Sequence, residues 1–336
     1  MSEELIKVVG ENVPFQFGEP VSELFRDPKG YDPDPSLEIA ARVALMLGMP
    51  LLLTGDPGCG KTSVATWLAW KLGLDKPLVC NVKSTTQGRD LLYEFDSLAR
   101  FRDAYDRGPA VEDSKYLRLN ALGLAIALSA EAQVPPSGAH VLARATLAKT
   151  RDVDGGAEVR FGKRHVVLID ELDKAPRDTP NDLLMEILEM QFHIPELDTW
   201  VNGSSAKRPV VVITSNSEKS LPEPFLRRCV FHHIQAPDPE ARRKIIERRM
   251  HPFSKRAELF AQALGLFEQI SSNLGRRPGT AELLAWMTIL EARAQLQEKQ
   301  GVAVQSLRLS GLVQGTFGAL AKSREDLERA QALMPN

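Results

Sequence analysis

The chain has 336 residues, 43% apolar and 26% charged, a balance that excludes disorder as its dominant state and allows about two domains. Forty-two Lys and Arg against 44 Asp and Glu leave a formal net charge of -2, so there is no global pull toward nucleic acid or anionic lipid. Three widely separated cysteines, Cys59, Cys80 and Cys229, exclude CxxC metal or redox spacing and suit a reducing compartment.

Residues 1–30 mix Pro, Gly and charge without a sustained period, and an irregular lead-in is expected there. They lack a basic region followed by an apolar run, so no signal peptide is predicted. In YDPDPSLEIAARVALMLG, Asp34 can cap a helix with Pro35 at its first position and Gly48 as its stop. MPLLLTG reads as a short strand buried on both faces. Residues 61–72 read as a helix closed by Gly73, and 77–82 as a second strand. Over 89–160 the pattern weakens. Leu91, Leu92, Phe95 and Leu98 keep helical spacing into LNALGLAIALSA, Pro135 and Pro136 break it, and the length predicts an insertion between two strands. HVVLIDE is a strand ending in acid, and RDTPNDLLMEILEM a helix with Thr179 as cap and Pro180 in first position. PVVVITSN and CVFHHI are two more strands; from the cap Asp238 and Pro239 onward everything reads helical.

This alternation predicts an α/β fold, a parallel sheet with helices on both faces, over 31–236. A smaller all-helical domain over 237–300 and a helical extension over 301–336 follow. No apolar run approaches the roughly 18 residues of a membrane span, so a cytoplasmic protein without a membrane partner is expected.

The strongest chemical signal is GDPGCGKT, which matches G-x-x-x-x-G-K-[ST] between a predicted strand and a predicted helix. Glycines let backbone N–H groups converge on phosphate oxygens, and the helix N-terminus adds partial positive charge. Gly55, Asp56, Pro57, Gly58, Cys59, Gly60, Lys61, Thr62 and Ser63 thus form a candidate ATP phosphate cradle. Lys61 would reach the β- and γ-phosphates, and the Thr62 hydroxyl would ligate Mg2+. Cys59 is read as a small tolerated residue without a redox role. The second signal is the acid pair Asp170–Glu171 closing an apolar strand, where ligands of parallel sheets bind. Asp170 can hold magnesium and Glu171 can polarise an attacking water. Asn216, at the end of another strand, can bond that water or the γ-phosphate.

PLLLTGDPGCGKT, VVLIDELDKAPRDTPNDLLMEILEMQFHIPE, VVITSNSEKSLPEPFLRRCVFHHI and GRRPGTAELL, in this order, resemble the AAA+ ATPases and, within them, the MoxR-type group. The resemblance spans about residues 31–292 and implies a P-loop NTPase core followed by a helical lid. It makes Asn216 the sensor-1 residue and Arg228 the arginine finger, with Arg227 as the neighbouring candidate. It makes Arg277 sensor 2, with Arg276 as the alternative, and sets Tyr31 and Asp32 beside the adenine. It also identifies the insertion over 89–160 as the helix-2 insertion, and QFHIPELDTWV as a hairpin. In one respect the chain departs from threading unfoldases: the loop VKSTTQGRD carries no aromatic grip before Tyr93.

The resemblance implies an ATP-hydrolysing homo-oligomer, a hexameric ring, that remodels a dedicated protein client such as one with a von Willebrand A domain. The acidic stretch 170–198 and the basic stretch 227–256 are compatible with head-to-tail contact. Two other classes of function stand beside it. One is an ATP-gated scaffold with incidental hydrolysis. The other is a nucleic-acid-dependent ATPase, which the missing helix-turn-helix and zinc-finger patterns disfavour.

Overall fold

The computed structural model describes residues 27–107, 113–131, 141–144, 146, 160–216, 219–250 and 256–334. The expected lead-in over 1–30 lies outside them except for its last residues, where Pro28–Gly30 form a 3-10 turn. Much of the later part of the expected insertion, 132–140 and 147–159, also lies outside. Two compact units are formed, one from Pro33–Gly55 and Val64–Ile234, the other from Met1–Asp32, Asp56–Ser63 and Gln235–Asn336.

The first unit is built on a five-stranded sheet. Its strands are β1 (Leu51–Gly55), β2 (Leu78–Asn81), β5 (Val166–Asp170), β8 (Val210–Thr214) and β9 (Val230–Ile234), in the order β2-β5-β8-β1-β9. Every pairing is parallel, so all five carboxyl ends lie along one edge. The central strands are aliphatic on both faces because helices cover both faces. Leu51, Leu52, Leu53, Val166, Val167, Ile169, Val212 and Ile213 are buried accordingly. Helix α1 (Pro35–Leu47) precedes β1; Asp34 accepts the Ser36 N–H and Gly48 ends it in the left-handed region, as the sequence predicts. Helix α2 (Lys61–Lys71) follows β1.

The helical spacing over 91–98 does not give one helix. Instead α3 (Gly88–Leu92) ends where β3 (Tyr93–Phe95) begins, and β3 pairs antiparallel with β4 (Leu117–Leu119) around α4 (Ser97–Arg107). Tyr93 and Phe95 share one face of this hairpin and the exposed Glu94 the other, a period of two that the spacing of Leu91, Leu92 and Leu98 conceals. Helix α5 (Ala121–Ser129) is buried along almost all of its length. Helix α6 (Thr179–Glu189) follows β5, with Asp178 rather than Thr179 at its cap. The Thr179 hydroxyl is taken by the Thr86 carbonyl, so tertiary contact overrides its local capping tendency. Beyond α6, β6 (Gln191–Ile194) and β7 (Thr199–Asn202) form the expected hairpin. Tyr93 stacks on Phe192 of that hairpin and its hydroxyl donates to Glu196. A short α7 (Glu223–Leu226), pinned by the buried Phe225, leads into β9.

In the second unit α8 (Pro239–Arg249), α9 (Ala257–Asn273) and α10 (Thr280–Lys299) surround a core of Phe260, Phe267, Trp286 and Met287. The segment read as a separate extension joins this same core. Leu312 and Val313 of α11 (Leu309–Val313), Phe317, Leu320 and Ala330 of α12 (Arg324–Ala332) are all buried in it. The Trp286 indole N–H donates to the Thr316 hydroxyl, which satisfies the one polar atom of the largest buried ring.

One buried ionic cluster holds this unit. The Arg256 guanidinium donates to Glu291 at 2.6 Å and to both carboxylate oxygens of Glu298 at 2.8 and 2.6 Å. Burial pushes the Glu291 carboxyl above its ordinary pKa, while Gln295 and Arg256 pull it back. Arg256→Met should destabilise the protein by about 3–5 kcal/mol, because it strands a buried carboxylate. With its folded pKa raised, Glu291 binds more protons folded than unfolded, so its contribution falls as pH rises through that window. The variant should therefore lose less stability at pH 5 than at pH 8, as read by urea denaturation at both values.

Candidate functional site

β1 ends at Gly55, and the phosphate-loop sequence continues from it without a break. The loop turns through Gly58 at φ 80° and Gly60 at φ 97°, values that a side chain would strain. Space is tight as well. A Cβ on Gly60 would stand 3.3 Å from the Tyr31 ring, and one on Gly58 would stand 3.1 Å from a Glu282 carboxylate oxygen. The Cys59 N–H bonds the Asp56 carbonyl and the Ser63 N–H bonds the Gly60 carbonyl, closing the turn into the first turn of α2. Lys61 is the only buried lysine among the described residues, and its ammonium donates to the Asp56 carbonyl at 3.0 Å. A buried ammonium needs oxygen partners. Thr62 follows on the first turn of α2. Burial pushes the Cys59 thiol up, which leaves it protonated and without a nucleophile's character.

The N-terminus of α10 packs on the same loop. Gly279 comes so close to Pro57 that an added Cβ would lie 2.9 Å from the Pro57 carbonyl oxygen. Its N–H is accepted by Glu282, the carboxylate that also faces Gly58. Upstream, Asp326 of α12 accepts the Gly275 N–H. Backbone donors, first of Gly275 and then of Arg276 after the opposing effect of burial, hold its carboxyl below the usual range. Arg276 is thus tied down by its backbone, and the Arg277 side chain projects exposed between two fixed points. Tyr31 meets the loop at Gly60, whereas the Asp32 carboxylate is engaged by Arg248.

In the sheet unit, the carboxyl ends of β5 and β8 bring three predicted side chains together. Asp170 is the last residue of β5. Glu171 then turns the chain in the left-handed region, φ 61°, a conformation of order 1–3 kcal/mol above the norm that needs outside support. Thr214, fully buried at the end of β8, supplies it. Its hydroxyl donates to Asp170 Oδ1 at 2.6 Å and accepts the Glu171 N–H at 2.8 Å. The turn aims the Glu171 carboxylate at Asn216, whose amide donates to Oε1 at 2.9 Å. The Lys174 ammonium holds the other oxygen. Asn216 is itself placed by Asp173, which accepts its N–H at 3.3 Å, and by Ser215, whose N–H bonds Leu53 of β1. Thr214 and Lys174 match no motif in the sequence. A lone hydroxyl in the run VVVIT was the available signal for the first.

Arg228 lies elsewhere. Val230 pairs with Leu51, so Arg228 stands before the amino end of β9. Roughly 16 Å of strand, at about 3.3 Å per residue, separate that end from the edge where Asp170 and Glu171 stand. Arg227 is paired with Glu223 one helical turn back, and the Arg228 side chain is exposed.

Among the described residues no helix is long and apolar enough to cross a membrane. No curated protein matches the chain. A family model described as an AAA domain of the dynein-related subfamily matches residues 50–229, more than half of the chain. That span holds the phosphate loop, the acid pair, Asn216 and Arg228, and closes one residue before β9. The chain therefore belongs to the AAA+ ATPases, with an AAA domain of the dynein-related subfamily.

Proposed function

We propose that this AAA+ chain is a Mg-ATP hydrolase of MoxR type that works as a homo-oligomeric ring, a hexamer, and remodels a dedicated protein client, of which a von Willebrand A domain protein is one example. The single observation that carries the hydrolase part is the Asn216–Glu171 bond at 2.9 Å beside the Thr214–Asp170 bond at 2.6 Å. One acid is oriented by an amide and the other by a hydroxyl, which suits two different tasks. Glu171 accepts the proton of the attacking water, and Asn216 aligns both. Lys61 and the loop amides hold the β- and γ-phosphates. Tyr31 packs on the loop at Gly60.

No cluster of three or more His, Cys, Asp or Glu that could hold a metal occurs among the described residues. One hydroxyl and one carboxylate, Thr62 and Asp170, suit magnesium, which keeps its remaining positions for water and phosphate oxygens. A magnesium ion held there would offset the negative charge of the phosphates.

Glu171→Gln should keep ATP affinity within about twofold and lose turnover by on the order of 10²-fold or more, since an amide accepts a proton poorly. Lys61→Ala should abolish binding. Calorimetry with Mg-ATP and a phosphate-release assay read both; turnover near wild type in the glutamine variant would remove Glu171 from this role.

Gly279→Ala should weaken ATP by about tenfold, because a strain near 1.4 kcal/mol at the Pro57 carbonyl displaces the loop. The same strain should lower its melting temperature by only about 2–4 °C, so the protein remains folded when affinity is read.

Arg228 stands at the amino edge of its own sheet and so is assigned to the nucleotide of a neighbouring copy. Arg228→Ala should bind ATP normally and hydrolyse it on the order of 10³-fold more slowly. Mixing it with Lys61→Ala should raise the rate above the sum of the separate rates, measured against mixing ratio. A flat mixing curve in rings shown to be mixed would rule out action between copies.

A further inference from the structure

The segment Gly275–Gly279 reads Gly-Arg-Arg-Pro-Gly and lies outside any helix or strand, between α9 and α10. Its two glycines give it little conformational preference of its own, and both arginine side chains are exposed. Such a segment keeps an arginine in one place only if other parts of the fold hold its backbone. Its far end is held. Gly279 meets the Pro57 carbonyl of the phosphate loop, and Glu282 accepts the Gly279 N–H at 3.0 Å. Its near end follows α9, where the Leu274 N–H bonds the Ile270 carbonyl and the Leu274 side chain is buried. The next two N–H groups, of Gly275 and Arg276, lie past the helix ladder and take their acceptor from elsewhere.

That acceptor is a carboxylate 51 residues further along the chain, in a segment to which no motif assigns a task. Asp326 Oδ1 accepts the Gly275 N–H at 2.9 Å, and the Arg276 N–H bonds the same side chain. Asp326 is buried and is itself well fixed. Its N–H donates to the Ser323 hydroxyl at 3.1 Å, the cap of α12, and Arg329 stands 3.4 Å from Oδ1. α12 is seated by Leu327, Ala330 and Leu333 on the core that surrounds Trp286 and Phe267. Hydrogen bonds to an ionised group are stronger than those between neutral groups, so two amides on one carboxylate form a firm clamp. Core, α12, carboxylate and arginine segment thus form one continuous path within one compact unit, which also contains Pro57.

We propose that Asp326 is a positioning residue of the nucleotide site, which fixes Arg277 through the backbone of Gly275 and Arg276 so that this arginine can read the terminal phosphate of ATP. The inference rests on the reading of the chain as an ATP hydrolase with Arg277 at its nucleotide. Arg277 is the residue next to the clamp, and two residues further on the chain meets the phosphate loop. A guanidinium on a held backbone loses less freedom on meeting a phosphate than one on a mobile segment. The consequence is selective. ADP lacks the phosphate that Arg277 reads, so a loosened clamp costs ATP affinity and spares ADP. The Gly279–Pro57 contact acts on the loop itself, which holds phosphates common to both nucleotides, and its loss weakens both.

The test is calorimetry of the full chain with magnesium and either a non-hydrolysable ATP analogue or ADP. Asp326→Asn keeps the shape and one acceptor but removes the charge, and Asp326→Ala removes both. The asparagine variant should weaken the analogue about fivefold and the alanine variant about tenfold, with ADP within about twofold in each. Leu333→Ala loosens α12 on the core without touching the clamp, so it should lower the melting temperature and leave the analogue-to-ADP ratio unchanged. Arg277→Ala should lower the ratio by itself, and adding Asp326→Asn should then lower it no further, because both act through one arginine. Without nucleotide, amide exchange at Gly275 and Arg276 should quicken in both Asp326 variants. If the alanine variant does not fold, the asparagine variant carries the comparison. The inference is overturned by an unchanged ratio in Asp326→Asn, by equal weakening of both nucleotides, by additive effects with Arg277→Ala, or by unaltered exchange at Gly275 and Arg276. Failure of wild type to bind either nucleotide is a different result, seen without any variant, and removes the hydrolase reading together with the inference that rests on it.

Discussion

A single buried hydroxyl, that of Thr214, ties the ends of two neighbouring strands together. It gives its proton to Asp170 and takes one from the Glu171 backbone, across the junction of β8 and β5. Without a partner there, the left-handed turn at Glu171 would carry both its own strain and an unsatisfied N–H. With it, the two adjacent acids point to different partners. Asp170 is fixed by a hydroxyl, and Glu171 is turned toward an amide. The aliphatic core behind them, from Val166 to Ile169 and from Val210 to Ile213, is what keeps the two strand ends in register.

A comparable economy governs the phosphate loop. Its glycines are favoured by positive φ, and Tyr31 at Gly60 and Glu282 at Gly58 pack closely against them. Gly279 supplies the reciprocal contact from α10, where backbone meets backbone at Pro57. The C-terminal segment takes part through Asp326, whose carboxylate fixes the stretch just before that contact. A change far along the chain can thus alter the loop without touching its motif.

The hairpin β3–β4 explains why the chain lacks an aromatic grip at Tyr93. That ring is buried, stacked on Phe192 and bonded to Glu196, so it is part of the scaffold between two hairpins. Exposed apolar side chains are found instead on α1 and on α4, at Leu98, Phe101 and Tyr105. α4 is held by its polar side, through Arg100 to Asp113 and Tyr116 to Asp103, and so presents its apolar side outward.

Periodicity and local chemistry sufficed for much of the molecule. Buried strands announce themselves as aliphatic runs, caps as Asp-Pro pairs at Asp34 and Asp238, and the phosphate loop as glycines at fixed spacing before Lys61. These features depend on residues near one another in the chain, and sequence preserves that proximity. Three outcomes did not. The hairpin at 93–119 depends on pairing across an intervening helix, the cap at Asp178 on Thr86 claiming the Thr179 hydroxyl, and the union of 301–334 with the core of the helical unit on packing around Trp286. The Thr214 bridge, the Gly279–Pro57 approach and the Asp326–Gly275 bond belong with them. In each case the deciding partner is far away in sequence, and only the fold determines which distant groups meet.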